Sequence, residues 1–140
     1  MIGVSACLVG INCTYRWDSN EQEKLKKLYE EGQCVTICPE VLGGLSIPRD
    51  PAEIVSEDPL TLKTIHGVDV TKEYLKGAEK ALEILQEHQI DTVILKANSP
   101  SCGVGHVYDG TFSHTLVNQD GVTARLFKQH GIKVMTEKDL

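Results

Sequence analysis

Short apolar runs alternate along this chain with stretches whose apolar residues recur at helical spacing. The first run, Ile2 to Ala6, breaks at Cys7-Leu8-Val9-Gly10 and predicts a strand. Ser19 followed by Gln22 has the form of a capping box, and Glu21 and Glu23 suit the positive end of a helix. Leu25, Leu28 and Tyr29 then recur on one face, with Gly32 as a natural stop. Cys34-Val35-Thr36-Ile37 predicts a second strand, ended at Cys38-Pro39 because proline cannot donate to a central ladder. Gly43-Gly44 and Pro48-Arg49-Asp50-Pro51 read as an irregular loop. Residues 52–66 alternate around Asp58-Pro59, as a small hairpin or an extended excursion does.

Asp69 or Thr71 caps a long helix with Tyr74, Leu75, Ala78, Ala81, Leu82 and Leu85 on one face. Thr92-Val93-Ile94-Leu95 is the clearest buried strand, and it breaks at Asn98-Ser99-Pro100-Ser101-Cys102-Gly103. A turn-rich loop through Tyr108-Asp109-Gly110 leads to a last helix, capped by Thr123 and closed by Gly131, and Ile132 to Met135 makes the final strand. Strands alternating with helices favour a parallel sheet covered on both faces by right-handed crossovers. The predicted fold class is therefore α/β, a Rossmann-like three-layer sandwich with a small, mainly parallel sheet. Neither a Gly-x-Gly-x-x-Gly after the first strand nor a Gly-Lys-Ser/Thr phosphate loop occurs.

Composition narrows the function classes. The 140 residues fit one domain, 1–140, long enough to bury a core without disulfide staples. Aromatic residues are 5% of the chain and the net charge is −6, a poor basis for stacking on single strands or for binding phosphate backbones. No nucleic acid polymer is expected as a partner, though a free base or nucleoside suits a local pocket. No apolar run approaches the roughly 18 residues of a membrane span, and no basic leader precedes the first strand. The expected location is cytoplasmic, with no membrane partner, and the pattern sets no oligomeric state. Five cysteines there are reduced by default, and the odd count argues for ligands or reactive thiols over a disulfide framework.

Their placement is informative. In open parallel sheets, ligands bind beyond the carboxyl ends of the strands. Cys7, Cys38 and Cys102 each follow a predicted strand, so parallel strands bring all three to one edge. Three thiolates on three loops suit a soft metal with one coordination position left open. A structural zinc normally takes four closed ligands, often as Cys-x-x-Cys knuckles, which are absent; a 4Fe–4S cluster so held keeps one iron without a protein ligand. Taken singly, each cysteine reads equally as a small buried hydrophobe. Cys13, in the same loop as Cys7, reads as a spare ligand, a resolving thiol or packing, and Cys34 as packing inside the sheet.

Other groups near these cysteines are candidates. Glu40 is a proton donor or acceptor, or a solvated loop carboxylate. Ser99 and Ser101 flank Pro100, where a serine can orient a substrate or simply form the turn. Arg49 pairs Glu40, grips an anion or forms a surface salt bridge. Asp109 reads as a turn former. His66, His88, His106 and His114 show no metal-ligand spacing, His88 and His130 sit in helix tails, and His106 and His114 are close enough in sequence to Cys102 to line a pocket.

Several segments, in order, resemble one known family: Ser5-Ala6-Cys7-Leu8-Val9-Gly10; Cys38-Pro39-Glu40-Val41 with Gly43-Gly44-Leu45; Pro48-Arg49; Gly67-Val68-Asp69-Val70-Thr71; Leu95-Lys96 with Ser99-Pro100-Ser101-Cys102-Gly103; Tyr108-Asp109-Gly110-Thr111-Phe112-Ser113; and Asp120-Gly121-Val122-Thr123-Ala124. Together they are similar to a bacterial family of domains of unknown function that includes the thiouracil desulfurases, across essentially the whole chain. The resemblance implies a Rossmann-like domain whose 4Fe–4S cluster is held by cysteines matching Cys7, Cys38 and Cys102. It further implies an enzyme that takes sulfur from a small thiolated substrate, such as a thiolated pyrimidine, and releases the oxo product. A serine of the Ser-Pro-Ser-Cys segment, carried onto Ser99, and an acidic residue, carried onto Glu40, would assist. The chain departs from the family pattern at Thr14-Tyr15-Arg16-Trp17, where Arg-Tyr-Asp-Gly is frequent, and at His114, where glycine is frequent. The alternatives are a zinc-binding structural or ligand-binding protein with Cys13 as fourth ligand, and a cofactor-free thiol enzyme.

Overall fold

The computed structural model describes residues 1–140. In chain order the elements are β1 (Ile2–Ser5), a 3-10 turn (Ala6–Val9), α1 (Glu23–Glu30), β2 (Cys34–Ile37), α2 (Pro39–Leu42), β3 (Ala52–Glu57) and β4 (Leu60–Thr64). There follow α3 (Thr71–Glu87), β5 (Thr92–Leu95), β6 (Val107–Tyr108), β7 (Leu116–Val117), α4 (Val122–Gln129), β8 (Lys133–Thr136) and a closing 3-10 turn.

Four strands form the main sheet in the order β2-β1-β5-β8, and every pair is parallel. The central strands are apolar on both faces, as a sheet covered twice requires: Val4, Val93, Ile94 and Leu95 are all buried. On one face, Ala81, Leu82 and Leu85 of α3 and Ala124 and Phe127 of α4 pack against Ile37, Val93 and Leu95. On the other, Leu25 of α1 and Leu8 pack against Val4 and Ile94. The three-layer α/β sandwich is thus present. Residues 52–66 resolve into the antiparallel β3–β4 hairpin, whose Ile54 and Leu62 join Tyr74, Ala78, Val107 and Val122 in a third apolar cluster. No helix is long and apolar enough to cross a membrane.

Local expectations differ from the structure where tertiary partners take over a polar group. The Ser19–Gln22 capping box does not form. Helix α1 begins at Glu23, and the preceding strand-like stretch is tied to the first loop, Asn20 N–H donating to Cys7 O and Gln22 N–H to Leu8 O, each at 2.8 Å. Thr123 lies inside the first turn of α4, fully buried, with its hydroxyl 2.7 Å from that of Ser101; Gly121 is the cap residue. Val70 is the cap residue of α3, and the Asp69 carboxylate accepts the Thr71 N–H at 2.9 Å. Leu75 is 42% exposed, because it steps a hundred degrees round the helix from buried Tyr74. The short α2 and the β6–β7 ribbon carry too little periodicity to be read from sequence.

Candidate active site

The carboxyl ends of β1, β2 and β5 lie side by side, and the chain leaves each by a tight turn bearing a cysteine. Cys7 sits in the 3-10 turn directly after β1, with Gly10 at φ +95° closing it. Cys38 caps α2, with Pro39 at the first helical position, where a missing N–H costs nothing. Cys102 ends the turn after β5 that Ser99 builds: the Ser99 Oγ accepts the N–H groups of Ser101 and Cys102 at 3.1 and 3.0 Å. All three thiols, with Cys13, line one cavity of about 300 Å³. They rim it rather than close on a point: no three His, Cys, Asp or Glu side chains stand at single-ion spacing.

The thiols differ in character. Hydrogen bonding to Cys38 and Cys7 raises the Cys13 thiol strongly, and burial adds to it. The same hydrogen bonding lowers its partners, against the effect of burial. Cys7 is held below the usual thiol value, with Asn20 helping, and Cys38 falls to about 7, with the Val41 N–H also directed at its sulfur. Cys102, buried, is pushed up to about 12, which the Ser5 hydroxyl partly offsets. Such a thiol keeps its proton until a metal displaces it. Cys34 stands apart, half-buried in β2 and raised by desolvation.

Glu40, in the first turn of α2, lines the same cavity and is paired. Arg49 donates to its Oε2 through Nε at 2.8 Å and through Nη2, while Nη2 also reaches Cys13 O at 3.0 Å and Nη1 reaches Ser46 O at 3.1 Å. The two side chains are 8% and 15% exposed, so this is a buried pair, not a surface salt bridge. Tyr74 adjoins Glu40; burial pushes its phenol well up, and the carboxylate adds to that. Lys96, first residue after β5, also lines the cavity and pairs with Glu137 at 3.1 Å.

Of the predicted site residues, Cys7, Cys38, Cys102, Glu40 and Ser99 converge on this cavity. Ser101 does not: its hydroxyl points at Thr123 in the core. Arg49 and His114 line the cavity, whereas His66, His88, His106 and His130 and the Asp109 carboxylate do not. Sequence reasoning did not single out Lys96, Asn20, Tyr74 or Glu53. Lys96 was findable by the strand-end rule that located the cysteines. Tyr74 carries a core signal only, and Asn20 and Glu53 carry none.

A family model described as 2-thiouracil desulfurase matches residues 2–139. The chain belongs to this family. YbbK, an uncharacterised protein of Bacillus subtilis (strain 168), is 48% identical over 147 residues, covering 100% of this chain and 97% of its own. A solved structure of the [4Fe-4S]-dependent thiouracil desulfidase TudS superposes with a TM-score of 0.92 at 41% identity, covering 99% of this chain and 91% of that one. In this 2-thiouracil desulfurase family member the two departures from the family pattern both reach the cavity: Thr14, Tyr15 and Arg16 line it from the first loop, and His114 from the loop after β6.

Proposed function

We propose that this protein is a 4Fe–4S-dependent desulfurase that removes sulfur from a small thiolated compound, with thiolated pyrimidines as the substrate class. One observation carries the reading: three thiols from three adjacent strand ends rim a single cavity that also holds a paired carboxylate and a serine hydroxyl. Family membership and the likeness to TudS support it. The residues present fit the cofactor, because soft donors spread around a space suit a group of several atoms better than a lone ion. Cys7, Cys38 and Cys102 would hold it. A zinc-binding structural role is not favoured by that spacing.

When bound, the cluster supplies an iron without a protein ligand, a Lewis acid able to take a departing sulfur. The protein does the rest. Arg49 fixes the Glu40 carboxylate in the cavity as the proton acceptor for a water that adds to the carbon bearing sulfur. Ser99 accepts two backbone N–H groups, so its lone pairs are engaged and its own proton is free to orient a substrate acceptor. The balance is a thione plus water giving the oxo compound and sulfide.

Anaerobic reconstitution with iron and sulfide should give a brown protein with about four irons per chain. That protein should convert 2-thiouracil to uracil with sulfide release. Ser99→Ala and Glu40→Gln should bind the same iron but turn over roughly a hundredfold more slowly. A colourless product without iron overturns the reading.

A further inference from the structure

The cavity wall includes a loop, residues 109–115, that contributes nothing to the proposed sulfur chemistry. It joins the strands of the β6–β7 ribbon, in which Tyr108 pairs with Leu116. Two of its residues, Phe112 and His114, hold φ of +58° and +60°, in the left-handed region that side chains disfavour. A buried carboxylate from β3 anchors it: Glu53, 7% exposed, accepts the N–H groups of Gly110 and Phe112 on one oxygen, at 2.9 and 3.2 Å. Hydroxyl contacts run along the loop, Thr111 to Ser113 at 2.6 Å and Ser113 to Thr115 at 2.9 Å. Asp109 N–H closes it on Thr115 O at 2.9 Å.

All of this fixes one arrangement. The His114 ring stands edge-on to Tyr108, centroids 5.8 Å apart and planes at 84°, and both residues line the cavity that holds the thiols. A glycine at 114 would adopt this backbone without strain and leave no ring there. Strained conformations persist where the surroundings impose them, and they concentrate at ligand sites.

We infer that Tyr108 and His114 are the substrate-recognition wall of the cavity, an aromatic corner that packs a flat heterocycle, with Glu53 as the positioning residue that holds it. This rests on the proposed desulfuration and names what reads the ring. An imidazole and a phenol at right angles offer both a face and an edge to a planar heteroaromatic thione. An acyclic thioamide presents no ring to such a corner, so the wall selects cyclic, planar thiones over acyclic ones.

The test uses full-length, anaerobically reconstituted protein. Sulfide release from 2-thiouracil and from thioacetamide is measured alongside calorimetric titration with uracil. His114→Gly should raise KM for 2-thiouracil about tenfold, more than it lowers kcat, and weaken uracil by a similar factor. It should melt no lower than wild type, because the left-handed strain is gone. His114→Phe keeps a ring and should stay within about threefold in KM. Glu53→Ala should follow His114→Gly, whereas Glu53→Gln, which keeps an acceptor oxygen for the two N–H groups, should restore wild-type KM. Wild-type constants and uracil affinity in His114→Gly would overturn the inference while leaving the desulfurase reading intact. If wild-type protein releases no sulfide from any thione, the desulfurase reading fails and the uracil titration decides the wall alone: binding lost in His114→Gly upholds it, and equal or absent binding overturns it. Should Glu53→Ala fail to fold, the His114 variants and Glu53→Gln still decide.

Discussion

Removing one member of the Glu40–Arg49 pair strands the other in a place with little water. The pair is held by two guanidinium contacts and is almost wholly enclosed, so its members depend on each other more than surface ions do. Arg49→Met is expected to cost about 3 kcal/mol, read by urea denaturation of the metal-free protein. Adding Glu40→Gln to that variant should restore part of the loss, since the buried charge goes too. Ser101 shows the other residue-scale lesson. From sequence, Ser99 and Ser101 are equivalent serines on either side of Pro100. Only the fold separates them, giving Ser99 to the turn and the cavity and Ser101 to Thr123. Ser101→Ala, which leaves the Thr123 hydroxyl buried without its partner, should cost about 1–2 kcal/mol in the same assay.

At the scale of elements, α2 matters beyond its four residues, because it carries both Cys38 and Glu40. Two glycines set where it sits. A Cβ at Gly77 of α3 would fall 1.8 Å from Pro39 O, and a Cβ at Gly43 would fall 1.9 Å from Glu73 O. The two backbones touch, and neither partner is a side chain that can swing away. Gly77→Ala should therefore destabilise the fold by about 3 kcal/mol. By displacing α2 it should also lower the iron bound per chain after reconstitution, measured by metal analysis. The helical period identified α3 and most of its buried face correctly, yet it could not mark Gly77, which looks like an ordinary interior position. The misread caps at Ser19 and Thr123 share a cause. A capping motif states what a side chain can do locally, whereas the Gln22 N–H and the Thr123 hydroxyl were claimed by partners distant in sequence.

Over the whole molecule, the strand–helix alternation was enough to read the parallel sheet, and the rule of carboxyl strand ends then brought Cys7, Cys38 and Cys102 together. The β3–β4 hairpin and the loop after β6 were less legible, because their form depends on packing against α3 and on Glu53 rather than on their own pattern. Charge links this outer region to stability. Burial pushes the Asp120 carboxyl up, but the Gly105 N–H at 2.7 Å and the Lys128 ammonium at 2.9 Å outweigh it, and the net shift is downward. The unfolded chain then binds more protons than the folded one once pH drops below about 4, so stability is present above that value and lost beneath it. The melting temperature of metal-free protein should fall between pH 5 and pH 3, and Asp120→Asn should shallow that slope.

Cys7 and Cys102 lie nearly a hundred positions apart and meet only across paired β1 and β5. No short segment can grasp a metal by itself, as a knuckle of adjacent cysteines does. While the chain is being made, its early thiols emerge without their distant partner, open to oxidation or to scavenging by stray ions. On the proposed ligation, the centre would be completed only once β1 and β5 have paired, so holding the inorganic group would be coupled to closing the sheet.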